Sequence, residues 1–159
     1  MPLAKRVKDS RTEQVQILSQ GTLNGYKRLF GGRLMEWIDI VAAVTARRHA
    51  GANVTTAAVD SLVFREAAYA NDTLVLVGTI TYVGKTSMEV SVRTFVEALD
   101  GRRHLINTAY LIMVALDENE RPMPVPRLIP ESEEELRAWE EGKRRAALRK
   151  AKDDEVNIQ

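Results

Sequence analysis

Residues 34–44 read Leu-Met-Glu-Trp-Ile-Asp-Ile-Val-Ala-Ala-Val, with apolar side chains at Leu34, Met35, Trp37, Ile38, Ile40, Val41 and Val44. Apolar residues on nearly every helical face predict a helix wrapped by protein rather than laid on a surface. It is expected to run from about residue 33 to 49, following Gly31-Gly32 and stopped by Gly51 in the C-terminal position that glycine favours. One carboxylate, Asp39, interrupts this apolar run. Burial makes a charge costly unless it is paired or put to chemical use. A backbone amide or arginine partner would meet that condition, and so would a catalytic role.

The middle of the chain changes period. Residues 13–18 alternate around Val15 and Ile17 and predict a short first strand, followed by a loop over residues 20–30. Residues 54–64 are β-rich, and residues 73–83 place Leu74, Leu76, Ile80 and Tyr82 on one face. Residues 86–99 put Met88, Val90, Val92 and Val96 on one side and Glu89, Ser91, Arg93 and Glu97 on the other, a clean period of two. Gly84-Lys85 and Asp100-Gly101 mark tight hairpins, and residues 103–116 form a long, mostly apolar final strand. Consecutive hairpins make the sheet antiparallel, and strands longer than the usual 5–6 residues or so can curve around a helix. The expected architecture is α+β: one long central helix enclosed by a curved antiparallel sheet.

Pro122, Pro124, Pro126 and Pro130 then predict an extended segment that avoids a central strand. A polar helix follows, opened by Ser132 with Glu135 three residues on, a capping-box pattern. Acidic residues lead it and basic ones (Lys143, Arg144, Arg145, Arg149, Lys150) trail, an order that complements the helix dipole. A binding role for the basic end is the alternative. Three units result: a flexible lead-in over 1–11, a main domain over 12–130, and a charged helix and tail over 131–159.

Composition narrows the function classes. A net charge of +1 with 28% charged residues gives no sign of nucleic-acid binding. No apolar run reaches the roughly 18 residues of a membrane span, and no signal-peptide stretch opens the chain. Without cysteine there is no disulfide, thiolate site or cysteine nucleophile, and His49 and His104 alone are too few for a protein-built metal site. A soluble cytoplasmic protein without a metal or cofactor is expected.

Several motifs together resemble the hotdog-fold acyl-CoA thioesterases, in the branch of cytosolic acyl-CoA hydrolases. They are Asn24, a short loop, Phe30-Gly31-Gly32, and Asp39 seven residues into the helix. The likeness continues through residues 54–64, 83–90 and 107–117 into the proline-punctuated tail, covering roughly residues 12–145. The chain departs from the family pattern at Arg65-Glu66-Ala67 and Asn71-Asp72. Both lie between strands, where they bear on substrate preference more than on reaction class.

The resemblance implies acyl-CoA hydrolysis to free fatty acid and CoA. Asp39 would act as general base on water or attack directly to form an anhydride. The helix N-terminus at Gly32 to Arg33 offers unpaired N–H groups that can polarise a thioester carbonyl, and Gly31 and Gly32 let the substrate approach the backbone closely; a tight turn into the helix is the glycines' other, compatible role. Asn24 resembles the family's second polar residue, which reaches the aspartate of a neighbouring protomer, whereas its local alternative is a turn asparagine. Gly84, Lys85, Thr86 and Ser87 resemble a CoA-contacting segment, or form an ordinary polar hairpin. His49 would complement the helix dipole, while Glu36 and His104 receive no catalytic role. The implied assembly is a homo-oligomer, a dimer or trimer of dimers. The rival is a non-catalytic acyl-CoA-binding or sensing protein. A hydratase is disfavoured, because it would need a histidine with an acid in the central-helix region.

Overall fold

The computed structural model describes residues 3–158; Met1, Pro2 and Gln159, at the ends of the expected lead-in and tail, lie outside them. The strands are β1 (Ala4–Arg6), β2 (Thr12–Ile17), β3 (Asn53–Phe64), β4 (Thr73–Val83), β5 (Ser87–Glu97), β6 (Arg103–Leu116) and β7 (Arg127–Ile129). The helices are α1 (Gly31–Ala50) and α2 (Glu133–Ile158). Five strands form an antiparallel sheet in the order β2-β4-β5-β6-β3, which leaves β2 and β3 as its edges. Register shifts interrupt the β3–β6, β4–β5 and β5–β6 pairings. Such bulges bend strands and increase twist.

Helix α1 starts at Phe30, whose carbonyl accepts from the N–H groups of Arg33 and Leu34. It stops at Gly51, which adopts a left-handed φ of 65° and donates its N–H to Arg47. Leu34, Trp37, Ile38, Val41, Ala42, Thr45, Ala46 and His49 form its buried stripe. They pack against Leu74, Leu76, Val90, Val92, Leu111 and Met113 of the sheet. The helix comes closest at Gly78 of β4, where a Cβ would overlap Thr45 Oγ1 and lie 2.8 Å from Val41 Cγ1. The expectation that α1 is wrapped on nearly every face does not hold within one chain. Ile40 is 47% exposed and Glu36, Asp39 and Arg47 share its open side, because the sheet covers only one stripe of the helix.

Helix α2 covers the other face of the sheet. The period-two pattern assigned Glu89 to a polar face, yet it is only 2% exposed. Arg145 meets its carboxylate through two bonds of 3.0 and 2.7 Å, and Thr81 Oγ1 donates to it at 2.6 Å. Charged, bidentate bonds of this kind are strong and directional. Arg149 likewise bonds Asp60 of β3 at 3.0 Å, so two of the basic residues read as dipole complements, Arg145 and Arg149, are docking groups.

The ends are more ordered than the sequence suggested. The lead-in contains β1, which pairs in parallel with β7, and a 3-10 turn at Val7–Asp9. Val15 and Ile17 of β2 are 57% and 71% exposed, so the apolar side of that alternation faces outward. His49 is fully buried, with Nε2 2.8 Å from the Pro126 carbonyl. A carbonyl only accepts, so Nε2 carries the proton. Burial pushes this imidazole below its ordinary pKa. His49 is thus a neutral clamp on the proline segment, rather than the dipole partner expected at the helix end.

Two predictions follow from this packing. Arg145→Leu leaves the Glu89 charge buried with weaker compensation and should cost about 3 kcal/mol in urea unfolding, with Glu89→Gln in the same chain restoring much of it. A cost below about 1 kcal/mol would remove the pair from the docking of α2. The second concerns His49. Its folded pKa lies below the unfolded value of 6.5, so between the two the unfolded chain binds more protons and stability rises with pH. Acidification from about pH 7.5 to about pH 5 should lower the melting temperature more in the wild type than in His49→Gln. Parallel curves for the two proteins would contradict the buried neutral imidazole.

Candidate active site at the open face of the central helix

The open stripe of α1 faces away from the sheet but borders the β3 edge. Asp39 lies on it, and Thr56 of β3 donates its hydroxyl to Asp39 Oδ1 at 2.7 Å. The Thr56 oxygen is also 3.5 Å from Met113 Sδ. One carboxylate oxygen is thereby oriented, and Oδ2 has no hydrogen-bond partner among the described residues. The sequence reading missed Thr56, because a threonine in a β-rich run looks like an ordinary strand former.

At the start of the helix, the Arg33 and Leu34 amides turn back to Phe30. The N–H groups of Gly31 and Gly32, ahead of them, face out of the helix end and have no intrahelical acceptor. Gly32 also makes room for the Phe30 ring, which a Cβ there would approach to 2.7 Å. Phe30 and Phe64 are 56% and 51% exposed beside this end. Gly32 and Asp39 share a helix face but are seven residues apart, about 10 Å along the axis. A single carbonyl cannot lie within bonding reach of both in one protomer.

Asn24 sits in the loop before α1 and is exposed. Its Oδ1 accepts from the N–H groups of Tyr26 at 2.9 Å and Arg28 at 3.3 Å, which is the local turn role. Among the described residues no hydrogen bond joins Asn24 to Asp39. The chain therefore bonds Thr56 to Asp39, while the hydrogen bonds of Asn24 stay within its own loop.

The turn at residues 84–87 links β4 to β5. Gly84 donates to the Ser87 carbonyl, and Ser87 Oγ occupies space that a Cβ at Gly84 would need. Lys85 is exposed, while Thr86 and Ser87 are half-buried. Val125 N–H bonds the Lys85 carbonyl, and Arg127 Nη2 bonds the Gly84 carbonyl at 2.6 Å, so the proline segment braces the turn. Arg127 is a second cation here that the sequence reading did not single out. Thr56, Met113, Met88 and Val83 form one cross-strand row. Three strand spacings, about 14 Å, thus separate Thr56 from the start of the turn.

Other polar residues have partners of their own: Glu36 on the open stripe, Arg93 and His104 away from it. Glu36 pairs with Arg33 at 3.3 Å, Arg93 lies over the Phe95 ring, and His104 contacts Glu66 between strands. A cavity of about 420 Å³ lies under α2, lined by Thr79, Ser91, Tyr110 and Glu141 among others, and Asp39 does not line it.

The β3 edge is twelve residues long and carries neither lysine nor proline. Edges without such protection are open to pairing with another strand. Val59, Val63 and Phe64 along it, with Ile40 on α1, are each more than 40% exposed. That apolar border is typical of an interaction surface rather than a solvated one.

Comparison with known proteins agrees with this geometry. Residues 26–99 match the family model described as Thioesterase superfamily. A Bacillus subtilis protein, the uncharacterized acyl-CoA thioester hydrolase YkhA, is 38% identical over 150 residues, spanning 94% of this chain and 87% of the relative. The mouse cytosolic acyl coenzyme A thioester hydrolase is 34% identical over 84% of this chain, which corresponds to 35% of that longer protein. An acyl-CoA hydrolase from Staphylococcus aureus, solved with butyryl-CoA, CoA and CoA disulfide, superposes with a TM-score of 0.92 at 33% identity, covering 98% of this chain and 95% of the other. Structures of that enzyme also exist with alanine in place of a threonine, an aspartate and an asparagine. A hexameric acyl-CoA thioesterase superposes at 0.90 with 40% identity, covering 94% and 97% of the two chains. With α1 laid on a bulged antiparallel sheet and likeness over nearly its whole length, the chain belongs to the hotdog-fold thioesterase superfamily, among the acyl-CoA thioester hydrolases.

Proposed function

We propose that this protein hydrolyses acyl-CoA to free fatty acid and CoA at a site completed by two protomers. The observation that carries the reading is the Asp39 carboxylate, held by Thr56 on an uncovered helix face beside an unpaired strand edge. The three positions replaced by alanine in the Staphylococcus aureus enzyme have the same spacing as Asn24, Asp39 and Thr56 have here, which supports assigning these residues to the reaction.

In this reading, β3 pairs with β3 of a second copy and turns the open α1 stripes toward one another. The amides of Gly31 and Gly32 from one protomer then face Asp39 from the other, which removes the 10 Å or so that separates them within a helix. Those amides stabilise the oxyanion as charge develops on the thioester oxygen. Asp39 Oδ2 takes the proton from water as its oxygen bonds the carbonyl carbon. Collapse of the intermediate breaks the C–S bond, and the proton passes from Asp39 to the CoA sulfur. In the covalent route Asp39 instead attacks the carbonyl carbon and expels the CoA thiolate, and water then cleaves the Asp39–acyl anhydride, releasing the acid and supplying the proton that the thiolate takes. Asn24 orients the water or the carbonyl. Gly84, Thr86 and Ser87 lie against the pantetheine arm, and Lys85, with Arg127, meets phosphate.

We assign residues 12–130 to the hotdog domain and 131–159 to an appended helix. The working form is a trimer of dimers in the cytoplasm, as the hexameric and cytosolic relatives suggest. No helix among the described residues is long and apolar enough to cross a membrane.

The test is free-thiol release from acyl-CoAs of graded chain length. Asp39→Asn should fold normally and lose at least about a hundredfold in kcat, the scale of a general base. Thr56→Val should lose about tenfold, roughly one charge-assisted hydrogen bond, and Thr56→Ser should recover most of it. Tight acyl-CoA binding by the wild type without thiol release would establish the sensing alternative instead. Label in the Asp39 carboxylate after a single turnover in oxygen-18 water would establish the anhydride route, because attack of water at the aspartyl carbon of the anhydride is its only way in.

A further inference from the structure

Helix α2 crosses the outer face of the sheet in strand order. Trp139 packs edge-on against Tyr82 of β4, with ring centroids 5.3 Å apart. Gly142 lies over Tyr82 and Glu89, so close that a Cβ would meet both. Arg145 binds Glu89 of β5 and covers the Tyr110 ring of β6 at 3.8 Å. Arg149 reaches Asp60 of β3 at 3.0 Å. Each advance of three or four residues, about 5 Å of helix, moves α2 by about one strand.

Since β3 is the edge, the sheet ends beneath Arg149. The helix nevertheless continues to Ile158, about 13 Å further at 1.5 Å per residue. Each of residues 150–156 is exposed, and Val156 is 71% exposed, as is Leu148 at 60%. These final turns carry Lys150 and Lys152 followed by Asp153, Asp154 and Glu155, and the last turn has no basic residue. Carboxylates at a helix C-terminus oppose the dipole, and these final turns are exposed, without the packing of an amphipathic face that supplies most helical stability. Both costs call for a partner with cations and some apolar surface.

We infer that the overhanging turns of α2 bind the same turns of a second copy, antiparallel, above the line where two β3 edges meet. The inference rests on the edge pairing proposed above. A two-fold axis at that line brings one overhang in from each side, and overhangs of this length must lie side by side. Antiparallel alignment that sets Lys152 of each helix beside Glu155 of the other uses side chains that share one helix face with Leu148 and Val156. The contact is self-complementary, as a two-fold interface requires. α2 is then a strap: its first half is fixed to its own sheet and its end holds the neighbour.

The chain has no cysteine, so single cysteines report proximity cleanly. Leu148→Cys, Lys152→Cys and Glu155→Cys are treated with a short bismaleimide, with Lys143→Cys, over the sheet, as control. Sedimentation reads the assembly, and hydrogen exchange over β3 reads the edge pairing. The expected result is a covalent dimer from one or more of the three end positions and none from the control. Asp154→Lys with Glu155→Lys should also weaken dimerisation about fivefold, as for two exposed ion pairs. An assembly with protected β3 amides but no end-position cross-link, or equal cross-linking at Lys143→Cys, overturns the strap and leaves the shared site standing. A freely exchanging β3 edge overturns the edge pairing, and the strap with it.

Discussion

Helix α1 reaches the sheet because β4 presents no side chain at Gly78, where Val41 and Thr45 fill the space. That close approach fixes the rotation of the helix, and the rotation decides everything on its far side. With Leu34, Ile38, Val41, Ala42 and Thr45 turned inward, Asp39 and Ile40 must point outward. Asp39 then lies within reach of Thr56 on the last strand of the sheet. A larger residue at 78 would lift or turn the helix and misplace the carboxylate, although it touches neither partner.

In the proposed reading, the same geometry leaves one chain an incomplete machine. Its oxyanion donors and its carboxylate lie two turns apart on one helix, its asparagine is occupied by the amides of its own loop, and its long edge strand ends in unpaired backbone. The second copy proposed across β3 would remedy each of these deficits. The polar layer on the other face serves this arrangement. Glu89 gives α2 a charged anchor at the middle of the sheet, and Asp60 gives it another at the edge. The direction of the helix is therefore set relative to β3.

Much of this was legible in the sequence, for identifiable reasons. Strands β2, β4 and β5 follow from alternation, β3 and β6 from β-rich and apolar runs, the end of α1 from Gly51, and the Asp100-Gly101 turn from its composition. Asp39 stood out because a carboxylate conflicts with its apolar neighbours. Thr56 and Glu89 were hidden for the opposite reason: each agrees with its local pattern, and only the tertiary neighbour across the chain gives it a role. Burial was misjudged where a pattern does not say what covers a face. Val15 and Ile17 alternate correctly yet point outward, and His49 at a helix end is enclosed by a proline segment 77 positions away. The apolar excess of α1 is larger than one chain can cover, which is the sequence trace of the face we assign to the partner.

Mixing Asn24→Ala chains with Asp39→Ala chains, after subunit exchange is verified by mass, tests the shared site most directly. If Asn24 of one protomer serves Asp39 of the other, each mixed dimer holds one intact and one doubly impaired site. Random exchange of equal amounts should then restore about a quarter of wild-type thiol release, from half of the dimers each with one working site. Activity that stays at the level of the two parents, with exchange complete, would mean that the residues act within one chain or not together at all.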